Sequence, residues 1–261
     1  MVRVFTLASG KGGTGKTTVT INLGTSLALF GKKTCIIDAD IGMANLGLSL
    51  GLEDVPVTLH EVLSGSASIK DAIYMGPGGV QVVPCGISLQ GFQQSDPELL
   101  KDVLKDLTDS LDYLLIDAPA GISRDGVVPL AVADEVILVV NPELSAIVDA
   151  MKTKILAEVV GGHVQGAIIN RATPDSISTV TQKMEKVLGT RVIGVIPEDQ
   201  NIRKAASAKV PVVLKYPASG SSVAMKKIAA GLSGVTFVQK EMDPKDSFVD
   251  RFTKVLFRGR K

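Results

Sequence analysis

Residues 10–18, Gly10-Lys11-Gly12-Gly13-Thr14-Gly15-Lys16-Thr17-Thr18, satisfy the spacing G-x-x-x-x-G-K-[ST]. Glycines at these positions let successive backbone N–H groups close around phosphate oxygens. Lys16 supplies a point charge for the β and γ phosphates, and the Thr17 hydroxyl is a ligand for Mg²⁺. Context separates this loop from a mere glycine turn: it follows an apolar run at residues 2–8 and opens a helical pattern over residues 19–30.

A Mg²⁺ bound to phosphate needs a carboxylate at the end of a neighbouring strand. Asp117, closing Leu114-Leu115-Ile116-Asp117, is so placed. Asp38 and Asp40, closing Cys35-Ile36-Ile37-Asp38-Ala39-Asp40, are the other acids at a strand's carboxyl end, where open α/β sheets bind ligands. One is suited to polarise an attacking water and the other to hold metal-bound water. An ordinary solvated turn acid is the plain alternative for each of the three.

Positioning these groups requires a scaffold, and the chain has its rhythm. Short β-branched apolar runs at residues 2–8, 34–37, 80–83, 113–116, 136–140, 166–169 and 192–196 alternate with stretches of helical period. That alternation predicts a mostly parallel sheet of about seven to eight strands with helices on both faces. Residues 96–112 show the local logic: Asp96 can cap, Pro97 fits a first helical position, and Leu99, Leu100, Val103, Leu104, Leu107 and Leu111 recur at three- and four-residue steps. One domain is expected over residues 1–238, a hinge over 239–246, and a separate amphipathic tail over 247–261.

At this point the chain resembles a known family. The additional lysine of the loop, Lys11, is similar to that of the deviant Walker A P-loop ATPases, the ParA/MinD family. The resemblance implies that Lys11 reaches across an ATP-sandwiched homodimer to the partner's nucleotide, and it makes Lys11, Lys16 and Asp40 the catalytic set, with Thr17, Asp38 and Asp117 around the metal. Within the family, Asp38-Ala39-Asp40-Ile41-Gly42-Met43-Ala44-Asn45-Leu46 and Asp117-Ala118-Pro119-Ala120-Gly121-Ile122 resemble the two switch segments of the MinD branch. ParA-type partition ATPases usually show Asp-Pro-Gln at the first. Asn170-Arg171 and Ile196-Pro197-Glu198-Asp199-Gln200-Asn201-Ile202 resemble that branch's adenine-binding segments. Guanine binders of the broader class carry Asn/Thr-Lys-x-Asp, whereas residues 170–173 end on Thr173, so adenine is favoured.

Other chemistries recede. Cys35 and Cys85 stand fifty positions apart, without the paired or Cys-x-x-Cys spacing of iron–sulfur relatives, and read as small core or loop residues in a reducing compartment. His60 and His163 lack zinc spacing and read as ordinary polar side chains. No secretory leader pattern and no apolar run of about 20 residues appears, so a cytoplasmic protein is expected.

The charge balance hides an asymmetry. The 261 residues carry 28 Lys plus Arg and 27 Asp plus Glu, a net +1. The last eleven contain five bases and no acid, leaving 23 bases against 27 acids in the first 250. On a helical wheel at ~100° per residue, Phe248, Val249, Phe252, Val255 and Leu256 fall within about 120°, and Arg251, Lys254 and Arg258 lie opposite. A basic, aromatic-bearing amphipathic segment reads as a surface anchor in the headgroup plane, a device the resemblance also implies. Packing onto the domain or onto a partner protein is the alternative. The expected function is therefore a slow, Mg²⁺-dependent ATPase that dimerises with ATP, binds the cytoplasmic face of an anionic membrane, answers to a protein activator and positions division-site or other polar machinery. A DNA-partition ATPase and a P-loop metabolic kinase or ligase are the competing expectations. Near-neutral bulk charge disfavours nucleic acid.

Overall fold

The computed structural model describes residues 2–121, 124–173 and 177–238. The expected hinge and tail, with Phe248, Val249, Phe252, Val255 and Leu256, lie outside the described residues. Eight strands form one sheet: β1 (Arg3–Ala8), β2 (Thr34–Asp38), β3 (Tyr74–Met75), β4 (Gln81–Val83), β5 (Tyr113–Asp117), β6 (Glu135–Val140), β7 (His163–Ala172) and β8 (Val192–Pro197). Their order is β3-β4-β2-β5-β1-β6-β7-β8, parallel throughout except for the β3–β4 pair. The helices in chain order are α1 (Lys16–Leu29), α2 (Leu46–Leu50), α3 (Leu59–Leu63), α4 (Leu89–Gln94), α5 (Leu100–Thr108), α6 (Arg124–Val132), α7 (Leu144–Val159), α8 (Ile177–Leu188), α9 (Gln200–Ala206), α10 (Val212–Lys215) and α11 (Gly220–Ser233).

Alternation along each strand splits the core into two faces. Phe5, Leu7, Ile36, Leu115, Ile137, Val139 and Ile168 point toward α1, α10 and α11. Val4, Cys35, Ile37, Leu114 and Ile116 meet the apolar sides of α3 and α5, and Val136, Leu138, Val140, Ala167 and Ile169 meet α7 and α8. Helix α1 is buried nearly all round, including Thr20, Asn22, Thr25 and Ser26. Their side chains remain satisfied because Thr20, Thr25 and Ser26 donate to the carbonyls of Lys16, Ile21 and Asn22, and Asn22 Nδ2 donates to Thr18 O.

Two local expectations change. Strand β3 was not among the seven apolar runs; it is a two-residue antiparallel edge, too short to show a period, and is closed by Gly76 N–H donating to Val80 O at 2.8 Å. The helix expected over 96–112 is broken: Asp96 Oδ1 accepts from Glu98 N, Pro97–Leu99 forms a 3₁₀ turn, and α5 begins at Leu100. The break turns Leu99 outward, while Leu100, Leu104, Leu107 and Leu111 stay in the core.

The topology fixes where a ligand can sit. The chain leaves β1 toward β2 on one side and leaves the adjacent β6 toward β7 on the other, and this reversal opens a crevice at the carboxyl end of β1. Residues 9–15 fill that crevice, and Asp38 and Asp117, paired in register at the ends of β2 and β5, close it on one side.

Candidate nucleotide-binding site

The loop owes its shape to glycine at particular places. Gly13 and Gly15 adopt φ of 77° and 87°, in the left-handed region that a side chain disfavours. A Cβ on Gly10 would lie 2.2 Å from the Asp149 carbonyl carbon of α7, and one on Gly15 would lie 2.4 Å from Asn170 Nδ2. Among the described residues, nothing lies within 4 Å of where a Cβ on Gly12 or Gly13 would sit. The loop is thus pressed against the protein at its two ends and free in the middle, where phosphate would enter.

Beneath the loop, Asp117 gathers the reactive groups. Lys16 Nζ donates to Asp117 Oδ1 at 2.7 Å, Thr17 Oγ1 to Oδ2 at 2.5 Å, and Thr20 Oγ1 to Oδ1 at 3.0 Å. Lys16 is 6% exposed and Asp117 1%, so this is a buried ion pair. Asp38 is wholly buried beside it and accepts from Leu46 N and Asp40 N at 3.0 and 3.2 Å. Burial, with the Asp117 charge behind it, pushes the Asp38 carboxyl up to about 7. Asp40 is half-buried, its carboxyl also raised by burial, and its Oδ1 accepts from Met43 N at 3.1 Å.

Lys11 is oriented away from its own loop. Its Nζ donates to Glu143 Oε2 at 2.9 Å and Ser145 Oγ at 3.1 Å, at the start of α7, and its side chain is 33% exposed. Asn170 Nδ2 donates to Thr14 O at 2.7 Å, tying the end of β7 to the loop. Arg171, at φ 57°, lies 3.8 Å from Glu198, which follows Pro197 at the end of β8. Asp199 is engaged by protein: it caps α9 through Asn201 N at 2.9 Å and accepts from Ser221 Oγ at 2.6 Å. Burial works to raise its pKa, but the Ser221, Asn201 and Ser219 donors outweigh it and hold the carboxyl below its usual range. The structure therefore brings together Gly10 to Thr18, Asp38, Asp117 and Asn170, and sets Arg171, Pro197 and Glu198 side by side on the neighbouring strand ends.

Thr20, Glu143 and Ser145 were missed from sequence. Glu143 lies just beyond the carboxyl end of β6, and the rule that singled out Asp38 and Asp117 would also have flagged Asn141-Pro142-Glu143. Cys35 and Cys85 are free and buried, and burial pushes the Cys35 thiol up to about 12, which suits inert core residues.

These residues fit a nucleotide with Mg²⁺. Thr14 Oγ1 and Asn170 Oδ1 are buried without partners among the described residues at the edge of the cradle, and the hydroxyl of Thr17 with the carboxylates of Asp38 and Asp117 offers the hard oxygen donors Mg²⁺ prefers. A mostly parallel sheet with this loop at its switch point and an acid on the adjacent strand end defines a P-loop nucleotide-binding protein.

The family model of the CobQ/CobB/MinD/ParA nucleotide binding domain matches residues 5–212. The chain belongs to that family, on its MinD-like side. An uncharacterised ATP-binding protein of Methanocaldococcus jannaschii is 47% identical over 260 residues, 100% of this chain and 98% of its own. The septum site-determining protein MinD of Thermotoga maritima is 36% identical over 223 residues, 82% of each chain. The septum site-determining protein MinD of Pyrococcus horikoshii, solved with Mg-ADP, has a TM-score of 0.83 at 38% identity, over 89% of this chain and 96% of that one.

Proposed function

We propose that the chain is an ATP-dependent dimerising switch that hydrolyses ATP to ADP and phosphate and binds an anionic membrane at its cytoplasmic face in the ATP state. The observation that carries this reading is the buried Lys16–Asp117 pair. A triphosphate entering the cradle competes with Asp117 for Lys16, so occupancy must rearrange the carboxylate that ends β5 and the loop that follows it. That loop is tied to the phosphate-binding segment by Gly121 N–H donating to Ser9 O at 2.9 Å, which makes it a natural reporter of nucleotide state.

In the proposed reaction, Asp40 orients a water for attack on the γ phosphorus, forming the new P–O bond as the bond to ADP breaks. Lys16, with Lys11 of the partner subunit, offsets the charge on the transferring group. Thr17, Asp117 and Asp38 would hold Mg²⁺, which when bound neutralises phosphate charge. Arg171, Pro197, Glu198 and Asp199 flank the adenine side. For Lys11 to act across a dimer it must leave Glu143 and Ser145, an exposed pair of small net strength.

The tail converts dimerisation into membrane residence. Each base near an anionic leaflet contributes roughly 1 kcal/mol, so one short basic segment is a weak anchor, and two tethered tails gain avidity of about 10²–10⁴. Vesicle sedimentation with ATP, with ADP and with Phe252→Asp tests the reading. ATP-dependent pelleting that the substitution abolishes supports it; pelleting indifferent to both nucleotide and tail refutes it.

A further inference from the structure

We infer that His60 is a positioning residue that fixes the Asp40 loop from outside the phosphate site. Its imidazole is 1% exposed, and Nε2 lies 3.1 Å from the carbonyl oxygen of Ile41, the residue after Asp40. A carbonyl accepts only, so Nε2 carries the proton and donates. Among the described residues this is the one hydrogen bond reaching residues 40–45 from beyond residues 38–49.

Three elements hold the ring. Thr58 and Glu61 form a capping box at the start of α3, and Leu59 N donates to Pro84 O at 2.9 Å. Gly86 and Gly91 press on the ring's far edge, where a Cβ would lie 2.7 and 2.6 Å from Nδ1. The Ile41 side chain is buried against the α3 side of the core, but packing there leaves the direction of its carbonyl to the hydrogen bond from His60. The loop borders a cavity of about 370 Å³, rimmed by the exposed side chains of Met43, Ile87 and Phe92.

Packing alone does not account for a histidine here. Nδ1 is buried and unpartnered among the described residues, a cost that an apolar ring of similar size would avoid. The bond to Ile41 is what the histidine adds. By fixing the Ile41 carbonyl it sets the direction of the Asp40 carboxylate, whose Oδ1 in turn accepts from Met43 N.

The catalytic half of this inference rests on the ATPase reading above; the structural half does not. His60→Phe keeps the volume without the donor, and His60→Gln places an amide N–H near the position of Nε2. Hydrogen exchange of the nucleotide-free protein should show the Met43 and Leu46 amides opening about tenfold faster in His60→Phe, with the α1 amides unchanged. Steady-state kinetics should show kcat down about tenfold at an ATP KM within about twofold, with His60→Gln recovering most of the loss. Unchanged Met43 and Leu46 exchange in His60→Phe, or equal acceleration across α1 and the loop, overturns the inference. A wild-type protein without ATP turnover sinks the ATPase reading instead, and exchange still decides the role of His60.

Discussion

Replacing Asp117 by Asn should make the protein bind Mg²⁺-free ADP more tightly and Mg²⁺-ADP more weakly. Asp117 is the countercharge of the buried Lys16 and accepts three hydrogen bonds. Removing one partner of a buried pair typically costs about 3–5 kcal/mol. Two features lower that here: Asn has the same shape and can still accept from Lys16, and loss of the Asp117 charge relieves Asp38, whose carboxyl that charge helps to raise. A net loss of about 2–3 kcal/mol in the nucleotide-free protein follows, at or just below the lower end of that range. The wild type must break the Lys16–Asp117 pair to seat phosphate, and the variant need not, so part of the same free energy returns on binding. A return of about 1.4 kcal/mol is tenfold in affinity. With Mg²⁺ the order reverses, because the variant has lost a hard anionic oxygen from the metal's surroundings. Urea unfolding in EDTA, with and without saturating ADP, and calorimetric titration with and without Mg²⁺ measure both halves. Weaker binding of Mg²⁺-free ADP by Asp117→Asn, or a stability loss that ADP leaves undiminished, would refute the claim that Lys16 is held for phosphate by Asp117.

Three further outcomes follow from the geometry. Gly10→Ala drives a Cβ to within 2.2 Å of the α7 backbone, so thermal unfolding should show a loss of about 1–3 kcal/mol together with weakened ADP binding. Asp199→Ala removes the α9 cap and the bond to Ser221, and chemical denaturation should show a loss of about 1–2 kcal/mol while the Lys16–Asp117 pair is untouched. Folding raises the Asp38 carboxyl to about 7, so the folded chain keeps a proton that the unfolded chain has lost. Metal-free stability should therefore fall as pH rises from about 4 to about 7 and level off above, and Asp38→Asn should flatten that slope in urea titrations across the window.

The placement of the loop and of the acids at the strand ends was legible because a phosphate loop depends on the backbone: glycine spacing is written in one short segment, and β1 and α1 on either side are strongly patterned. Asp117 and Asp38 were readable for a related reason, since an acid that closes an apolar run must emerge at the carboxyl edge of the sheet. Contacts made across the sheet order were not readable. Lys11 meets Glu143 only because β6 lies beside β1, and neither residue carries a local signal of the other. Asp199 illustrates the same limit from another side: the motif that resembles a base-binding segment is also an Asp-x-Asn helix start, and Ser221, 22 residues on, completes its hydrogen bonds.

His60 shows how far such a limit reaches. In sequence it is a histidine without spacing partners, and every feature that gives it a role is contributed by remote residues: the Ile41 carbonyl, Gly86, Gly91 and the cavity beside the Asp40 loop. The residues proposed to touch phosphate are specified by local motif, because that chemistry is the same in any fold that binds phosphate through a loop. The residues that decide how firmly Asp40 is held are specified by packing between elements, and packing is a property of this chain alone. Differences in turnover among proteins sharing the loop should then track the second group, and comparing His60→Phe with Asp117→Asn separates the two: the first should act on turnover at nearly constant nucleotide affinity, the second on affinity itself.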